Sequence, residues 1–569
     1  MKTNTQEWSN LESTADDPPF FAYLQCFFIS IATILGTGIL GLPLMLSNCG
    51  FYPFVVTFTI SYLMQMLVVT LMVEVLQISQ SAISNSIHEF LGGNHENQEF
   101  FPLRQHNSVH SADHEALVPI GQTDFTCEDS SAGSDDDGED IGESIIGGPN
   151  KSVEEMHPNL HLMGKLFLPN WMGYVFSIIL FLNFTSTLIS YVLAGSESYG
   201  QLLSINYVKV IPVFMWTLTI FILLAFQFLQ PVIALMTLAK GSILIVTIMV
   251  TCYVSIEIHT PISNNWLKLN EPFLMEAVAL GGLPLVMPML FGRFSAKEAH
   301  VKGFRASIFA GLTVCMLLNI AWCWAVLSVV PQIESNCNGT IGVASLIGNQ
   351  SSVLHGDEVT TATVPVTTAP VGASELVKCD PAMSLQGAKE NGLISTVPLT
   401  QFIKKYRPDF DWIATLLQLF IMISVTVSYL TIGSAMQHTV IGAVDYIIRS
   451  RRKCKLVNIL PTFCAPNALW HIGFGVLAFL VVFLVALSDP KGFVNILDKI
   501  VSCTVNLICG PLLFLMLVKG RSRTFRHLVI PLQTHPNIRK WHYVLPIFFG
   551  GAILYELVSG IINAILVTS

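Results

Sequence analysis

LGTGILGLP, residues 35–43, lies in the middle of an apolar run that carries no charged side chain from Pro18 to Val73. Three glycines and one proline in nine residues are unfavourable in a helix. Lipid offers no hydrogen bonds, so each backbone group freed by an interruption must be satisfied by protein, water or a ligand. We therefore expect a membrane helix that is broken here, with its unwound segment facing a cavity inside the protein.

A second interruption follows later in the chain, at residues 281–284 (GGLP). The Gly-Leu-Pro-Leu sequence of residues 41–44 recurs at residues 282–285, and five predicted spans lead from the first break to the second. Glycine and proline are common in membrane helices, so a packing kink is the alternative interpretation. Two like breaks at corresponding positions of two halves are typical of transporters built from inverted repeats.

The composition of the chain indicates that it lies in a membrane. Of its 569 residues, 52% are hydrophobic and only 12% are charged, against about 25% charged residues in soluble domains. This argues against a soluble enzyme, and we predict an all-α polytopic membrane protein with eleven transmembrane helices. The predicted spans are residues 21–46, 52–77, 171–194, 207–228, 231–255, 273–292, 305–330, 412–443, 469–487, 493–518 and 542–566.

The short loops between these spans differ in their content of Lys and Arg. The loops 293–305, 449–455 and 519–540 carry four, five and six basic residues, fifteen in all. The short loops on the opposite side contain only Lys268 and Lys491. Since positive loops stay in the cytoplasm, we predict a cytoplasmic N-terminus, residues 1–20. The transporter domain is predicted at 21–330 and 411–566.

Two long loops fall on opposite sides of the membrane in this topology. Residues 78–170 form a cytoplasmic loop, rich in Ser and Gly, whose stretch 128–143 holds eight acidic residues and no Lys or Arg. We predict that this loop is largely disordered and available to regulators. Nucleic acid is not an expected partner, because the net charge is -9.

The second loop, residues 331–410, is predicted to be extracellular or lumenal. It contains two glycosylation sequons, at Asn338 and Asn349, which agree with that side of the membrane. Cys337 and Cys379 are the only cysteines of this loop, and we expect them to form a disulfide, with two free thiols as the alternative.

The chemistry of two facing breaks suits a zwitterion. The N-terminus of a half-helix attracts a carboxylate, while unwound carbonyls attract an ammonium group. A free amino acid fits both. Span 3 also carries a polar stripe with Asn183 and Ser186, which either lines the cavity or joins helices. The predicted substrate-binding residues are Gly36, Thr37, Gly38, Ile39, Gly41, Asn183, Ser186, Leu280, Gly281 and Gly282.

Ionisable side chains inside the spans are costly and are functional candidates for that reason. Lys240 lies ten residues into span 5, and either carries a coupled proton or extends to the membrane surface. Ser424, Ser428 and Thr431 share a face of span 8, and either ligate sodium or bond to carbonyls of their own helix. Glu276 precedes the second break and is a candidate for attracting the amine or carrying a proton.

The segment Gly36-Thr37-Gly38-Ile39-Leu40-Gly41-Leu42-Pro43 resembles the first-helix motif of the amino acid/auxin permease family. The resemblance covers roughly 20–330 and 410–566. It implies a five-plus-five inverted repeat with broken helices 1 and 6, and secondary active transport of amino acids by alternating access. In some proton-coupled members of the wider superfamily, a lysine in the fifth helix replaces a bound sodium ion, and Lys240 resembles that lysine.

Other functions remain open at this point. A receptor that senses amino acids would use the same pocket with little transport, and the sequence does not separate the two. An enzyme is not expected, because no span contains a His-rich metal set or a nucleophile paired with a base. We expect no metal site and no cofactor other than a coupling sodium ion or proton. Both the plasma membrane and the endolysosomal membrane are compatible with the sequence.

Overall fold

The architecture comes from a computed structural model of the chain. It describes residues 20–36, 38–92, 158–224, 226–258, 260–333, 383–391, 394–406, 408–410, 412–453, 467–488, 496–528 and 530–568. The chain divides into a compact unit of residues 1–81 and 157–569 and a second unit of residues 82–156. Of the second unit, only the end of one helix is described.

The described residues are almost entirely helical and contain no β-strand, as predicted. We number the helices in chain order. They are α1 Phe20–Ile34, α2 Gly38–Met45, α3 Phe51–Gly92, α4 Leu160–Phe167, α5 Asn170–Leu203, α6 Tyr207–Leu224, α7 Phe226–Ile258, α8 Asn270–Leu280, α9 Leu283–Phe291, α10 Glu298–Leu327, α11 Leu385–Glu390, α12 Thr396–Tyr406, α13 Trp412–Lys453, α14 Asn467–Ser488, α15 Ser502–Leu507, α16 Leu513–Gly520, α17 Pro536–Lys540 and α18 Val544–Thr568.

Nine helical segments within the described residues are long and apolar enough to cross a membrane. Two shorter apolar segments, Phe20–Ile34 and Met275–Phe291, stand where the first and sixth spans were predicted. The protein is therefore a multi-pass helical membrane protein. The nine long and two short segments match the predicted order of spans, while the count of eleven and the inverted repeat stay predictions.

Both predicted breaks are present. Helix α1 ends at Ile34, Leu35 and Gly36 form a bend, and α2 begins at Gly38. Helix α8 ends at Leu280, and Gly281 and Gly282 form the turn that leads into α9. Glycine favours a break at both positions because it weakens a helix. Pro43 and Pro284 lie in the helices that follow the two breaks. The breaks are thus set by local sequence.

Several helices are longer than the predicted spans. Helix α3 runs to Gly92, so the structure corrects the predicted start of the acidic loop at residue 78. Residues 78–91 contain neither glycine nor proline, and a helix outside lipid needs no apolar side chains to continue. The end of the same loop is also ordered, because α4 begins after the N-cap Asn159, whose Oδ1 accepts from the amide of Leu162 at 2.8 Å.

The second long loop likewise contains structure near its end. The short helices α11 and α12 lie within the predicted loop 331–410. The sequons Asn338 and Asn349 and the cysteines Cys337 and Cys379 lie outside the described residues, so glycosylation and the disulfide stay predictions.

Three spans of the described residues are the most deeply buried: α5, α13 and the span Lys499–Gly520, which is 67% buried and contains α15 and α16. In their most apolar stretches, 67% of the residues of α5 and 72% of those of α13 are buried, against 17% in the last span, Pro536–Ser559. Helices that are buried on all sides lie at the centre of a bundle. These three spans therefore carry the side chains best placed to line a site inside the protein.

One ion pair in the described part of the chain is buried on both sides. The guanidinium of Arg521 donates from Nε to Oε1 of Glu74 at 2.6 Å and from Nη2 to Oε2 at 2.8 Å. The two side chains are only 10% and 6% exposed. This pair fixes the segment after α16 against α3.

Replacing Glu74 by alanine should lower the thermal unfolding midpoint of the purified protein markedly. Removal of one partner of a buried pair leaves an uncompensated charge, which costs about 3–5 kcal/mol. Lys302→Ala is the matched control, because Lys302 and Glu298 form an exposed pair at 2.6 Å, and such pairs contribute about 0–1 kcal/mol. Equal midpoints for the two variants would contradict the structural role of Glu74.

Candidate functional site

The two breaks lie directly against each other. A β-carbon added at Gly38 would lie 2.8 Å from Cα and 2.9 Å from Cβ of Ala279, the residue before Leu280. A β-carbon at Gly282 would lie 2.9 Å from Cγ2 of Thr33. Only hydrogen atoms fit at these two positions. The glycines of each broken helix therefore allow the backbone of the other to approach closely.

At Gly38 the two broken helices are packed directly against each other. The sequence predicted that the unwound segment faces a cavity, but Gly38 faces the backbone of Ala279. At Gly41 the methyl end of Met275 occupies the space where a side chain would begin. Ile39 and Leu280 are fully buried, and Thr37 lies outside the described residues. In this structure no space is left for a ligand beside Gly38.

Carbonyl groups at the end of α1 are satisfied by the central helix α13. Ser428 Oγ donates to the carbonyl of Ala32 at 3.0 Å, and Ser424 Oγ donates to the carbonyl of Leu35 at 2.8 Å. The last carbonyls of a helix have no partner within it, so these two serines supply the hydrogen-bond donors that the carbonyls lack because the helix ends. They therefore connect the first break to the centre of the bundle.

The third predicted hydroxyl of this set behaves differently. Thr431 Oγ1 donates to the carbonyl of Val427 in its own helix at 2.8 Å. Thr431 thus bonds to a carbonyl of its own helix, as one interpretation predicted, whereas Ser424 and Ser428 bond to α1, which neither interpretation predicted. Sodium ligation by these hydroxyls stays a prediction.

Lys240 lies at the same place. Its side chain is completely buried, and Nζ donates to the carbonyl of Ala32 at 3.4 Å. The alternative in which this lysine extends to the membrane surface does not describe the structure. One carbonyl at the end of α1 therefore receives both the Lys240 ammonium group and the Ser428 hydroxyl.

Side chains of α5 and α15 complete the surroundings of the breaks. The hydroxyl of Tyr191 occupies the space beside Gly36, at 2.6 Å from a β-carbon placed there, and Val505 does the same beside Gly281. Asn183 Nδ2 donates to Thr504 Oγ1 at 2.7 Å. The Oδ1 atom of Asn183 is buried and has no hydrogen-bond partner among the described residues. This amide oxygen is available to a donor from a ligand or water.

Ser186 lies on the same helix and is also buried. Its carbonyl accepts from Ser190 Oγ at 3.0 Å, a bond within α5. The structure therefore places Asn183 next to α15, the helix that packs against Gly281, whereas the carbonyl of Ser186 bonds within α5.

Two π-helical segments flank α15, at Ile496–Val501 and Ile508–Leu512. Segments of this kind are frequent at functional sites. Sequence reasoning missed them. The only local signal was Gly510 followed by Pro511 in a span otherwise typical of a regular helix.

Glu276 faces away from the contact between the breaks and towards α3. Its carboxylate accepts from Thr57 Oγ1 at 2.6 Å and from Ser61 Oγ at 3.2 Å. The side chain is completely buried, and no basic side chain of the described residues forms an ion pair with it. Glu276 therefore joins the half-helix before the second break to the second span.

Outside the spans, two basic groups have perturbed pKa values. Burial of Arg293, which follows α9, lowers the pKa of its guanidinium, and its Nη1 donates to Oε1 of Gln25 at 3.0 Å. Burial, assisted by the charge of Lys165, lowers the pKa of His161 in α4 to about 4. Within the described residues, no three His, Cys, Asp or Glu side chains are grouped so that they could hold a metal ion.

No family model matches the chain, and no curated protein matches it. Among solved structures, it is similar to the Eremococcus coleocola manganese transporter in complex with an aromatic bis-isothiourea substituted compound. That match has 11% sequence identity and a TM-score of 0.48, and covers 95% of this chain and 88% of the transporter. Two mutants of the same transporter match with 11% identity and a TM-score of 0.48, covering 96% of this chain and 88% of theirs.

Proposed function

We propose that this protein is a secondary active transporter that moves amino acids across a membrane by alternating access, driven by a proton gradient. The observation that carries the proposal is the arrangement around the first break. The two broken helices meet at Gly38, the first residue of α2, and Ala279, near the end of α8. A buried lysine donates to the carbonyl of Ala32, near the end of α1.

The proposed substrate site lies between the two breaks. The free amides at the start of α2, around Gly38–Gly41, would bind the carboxylate, because helix N-termini attract anions. The carbonyls of Leu280–Gly282 would bind the ammonium group. A zwitterion would thus replace the contact between Gly38 and Ala279 with hydrogen bonds from both sides.

The closed contact also explains why access would alternate. As packed here, Gly38 leaves no room for a ligand beside Ala279. Substrate entry from either side requires the half-helices to separate, and re-closure around the substrate hides it from both sides. The moving group is proposed to consist of spans 1, 2, 6 and 7, which Glu276 helps to join through its bonds to Thr57 and Ser61.

The coupling ion is proposed to be a proton carried by Lys240. Sodium ligands predicted on α13 bond to the same part of α1 that Lys240 contacts. A sodium ion and a charged ammonium group at one carbonyl would repel each other strongly in a buried site. The buried lysine thus supports a proton as the coupling ion.

The test is uptake of radiolabelled amino acids by proteoliposomes under proton and sodium gradients imposed separately. We expect an inward proton gradient to accelerate initial uptake and a sodium gradient at constant pH to have no effect. Stimulation by sodium alone would contradict proton coupling. Amino acid binding without flux under either gradient would contradict transport and support the sensing alternative.

Glu276 is the second candidate for the proton carrier, and Glu276→Gln separates it from Lys240. Glutamine preserves the volume and can keep hydrogen bonds with Thr57 and Ser61. We expect the variant to retain the stimulation of uptake by a proton gradient, because Lys240 would still carry the proton and the amide can hold both hydroxyls. Loss of that stimulation, with normal protein yield, would show that Glu276 and not Lys240 carries the coupled proton.

A further inference from the structure

A cavity of about 430 Å³ lies between the part of α3 around Glu74 and Ile78 and the segment that connects α16 to α17. Cavities of this size hold small ligands. Its polar lining includes Glu74, Arg521, Arg526, His527, Thr534 and Arg539. None of these residues belongs to the proposed transport site.

The walls of this cavity are held in place by buried contacts. Arg521 forms the bidentate pair with Glu74 described above. Gln77, one turn further along α3, accepts from the amide of Leu532 at 2.8 Å and donates to its carbonyl at 3.3 Å. The connecting segment is therefore fixed to α3 at two points, and the cavity between them is built into the fold.

The charge of the cavity is positive. Residues 519–540 contain six Lys and Arg and no Asp or Glu. Among the described residues of the lining Glu74 is the only acidic one, and Arg521 bonds to both of its oxygens. Arg526 and Arg539 are exposed side chains that line the same space and form no ion pair with any described residue. The lining thus carries three arginines against one glutamate, a net charge of +2.

Aromatic residues place the cavity near the level of lipid headgroups. Trp541 and Tyr543, which follow Arg539 directly, are 59% and 60% exposed. Exposed Trp and Tyr at the end of a membrane helix are typical of the interface between lipid and water. The predicted orientation puts residues 519–540 on the cytoplasmic side, where anionic lipids are concentrated.

We propose that this cavity binds the phosphate ester groups of an anionic lipid headgroup. Arginine suits this ligand, because its planar guanidinium binds phosphate oxygens in pairs. The site does not depend on the proposed transport function, and it would stabilise the packing of the connecting segment on α3 whatever the chain transports.

The test measures binding of short-chain phosphatidylinositol bisphosphate to the purified full-length protein in detergent by thermal stabilisation over a concentration series. We expect saturable stabilisation of the wild type. In the double variant Arg526→Gln/Arg539→Gln, the half-saturating concentration should rise roughly thirty-fold, the effect of two basic charges at an anionic lipid surface. The pair of Glu74 and Arg521 is untouched, so the variant should fold.

Arg523→Gln/Lys540→Gln is the matched control. Both residues are exposed and lie in the same segment, but neither lines the cavity. The two substitutions remove the same charge as Arg526→Gln/Arg539→Gln. Its half-saturating concentration should stay within a few-fold of the wild type. An equal rise in the two double variants would show general attraction to a basic surface and overturn the site, as would no rise in either.

Two further probes distinguish the source of the phosphate. Soluble inositol trisphosphate and inorganic phosphate carry the same groups without acyl chains. Weaker stabilisation by both than by the lipid supports a membrane ligand. Stabilisation by inositol trisphosphate at the same concentration as the lipid would overturn the lipid assignment in favour of a soluble phosphate ester.

Discussion

Gly38→Val should reduce amino acid uptake by roughly tenfold or more without reducing the amount of protein in the membrane. A β-carbon at this position would already lie 2.8 Å from Cα of Ala279, and valine adds two methyl groups to it. Forcing extra methyl groups into a packed contact costs about 1–3 kcal/mol. The two breaks could no longer close on each other or on a substrate. Initial uptake in proteoliposomes, normalised to reconstituted protein, measures the effect.

Gly551→Val supplies the control for this variant. Gly551 also lies in a membrane helix, but a β-carbon added there meets nothing within 4 Å. We expect wild-type uptake from it. If Gly38→Val also retained full uptake, the contact between the breaks would not be the substrate site.

Lys240→Met should abolish the response of uptake to a proton gradient. Methionine has nearly the length of lysine and no charge, so it keeps the volume of a side chain that is completely buried. It removes the ammonium group that lies 3.4 Å from the carbonyl of Ala32. Uptake driven by an amino acid gradient alone should persist, because the substrate contacts are unchanged. The measurement is the ratio of the initial uptake rates with and without an imposed pH difference, which should be close to one in Lys240→Met.

The matching charge deletion is Lys302→Met, at an exposed lysine near the start of α10. It should leave the response to the proton gradient intact. An unchanged response in Lys240→Met, with intact transport, would refute the role of this lysine. Sodium dependence gained by Lys240→Met would support it, since vacated carbonyl and hydroxyl oxygens are ligands that hard cations take.

The sequence predicts the broken helices well because the cause is local. Glycine and proline weaken a helix wherever they occur, and the apolar residues around Gly38 and Gly282 are typical of membrane segments. Helix ends outside the membrane were harder to place. Apolar length marks only the part of α3 that lies in lipid, and its extension to Gly92 is polar.

Contacts between helices could not be read from the sequence. That Ala279 meets Gly38, and that Tyr191 meets Gly36, depends on how distant helices pack. The same limit applies to the hydroxyls of α13. Their spacing put Ser428 and Thr431 on one face, but only the packing decides that Ser428 bonds to α1 and Thr431 to its own helix.

The most direct test of the shared site is a cryo-electron microscopy map of the protein in lipid nanodiscs, with the best-transported amino acid at saturating concentration. We predict density for the amino acid between Gly38–Gly41 and Leu280–Gly282, with Gly38 and Ala279 moved apart. Density at another place, with Gly38 still packed on Ala279, would contradict the proposal that two broken helices form one substrate site.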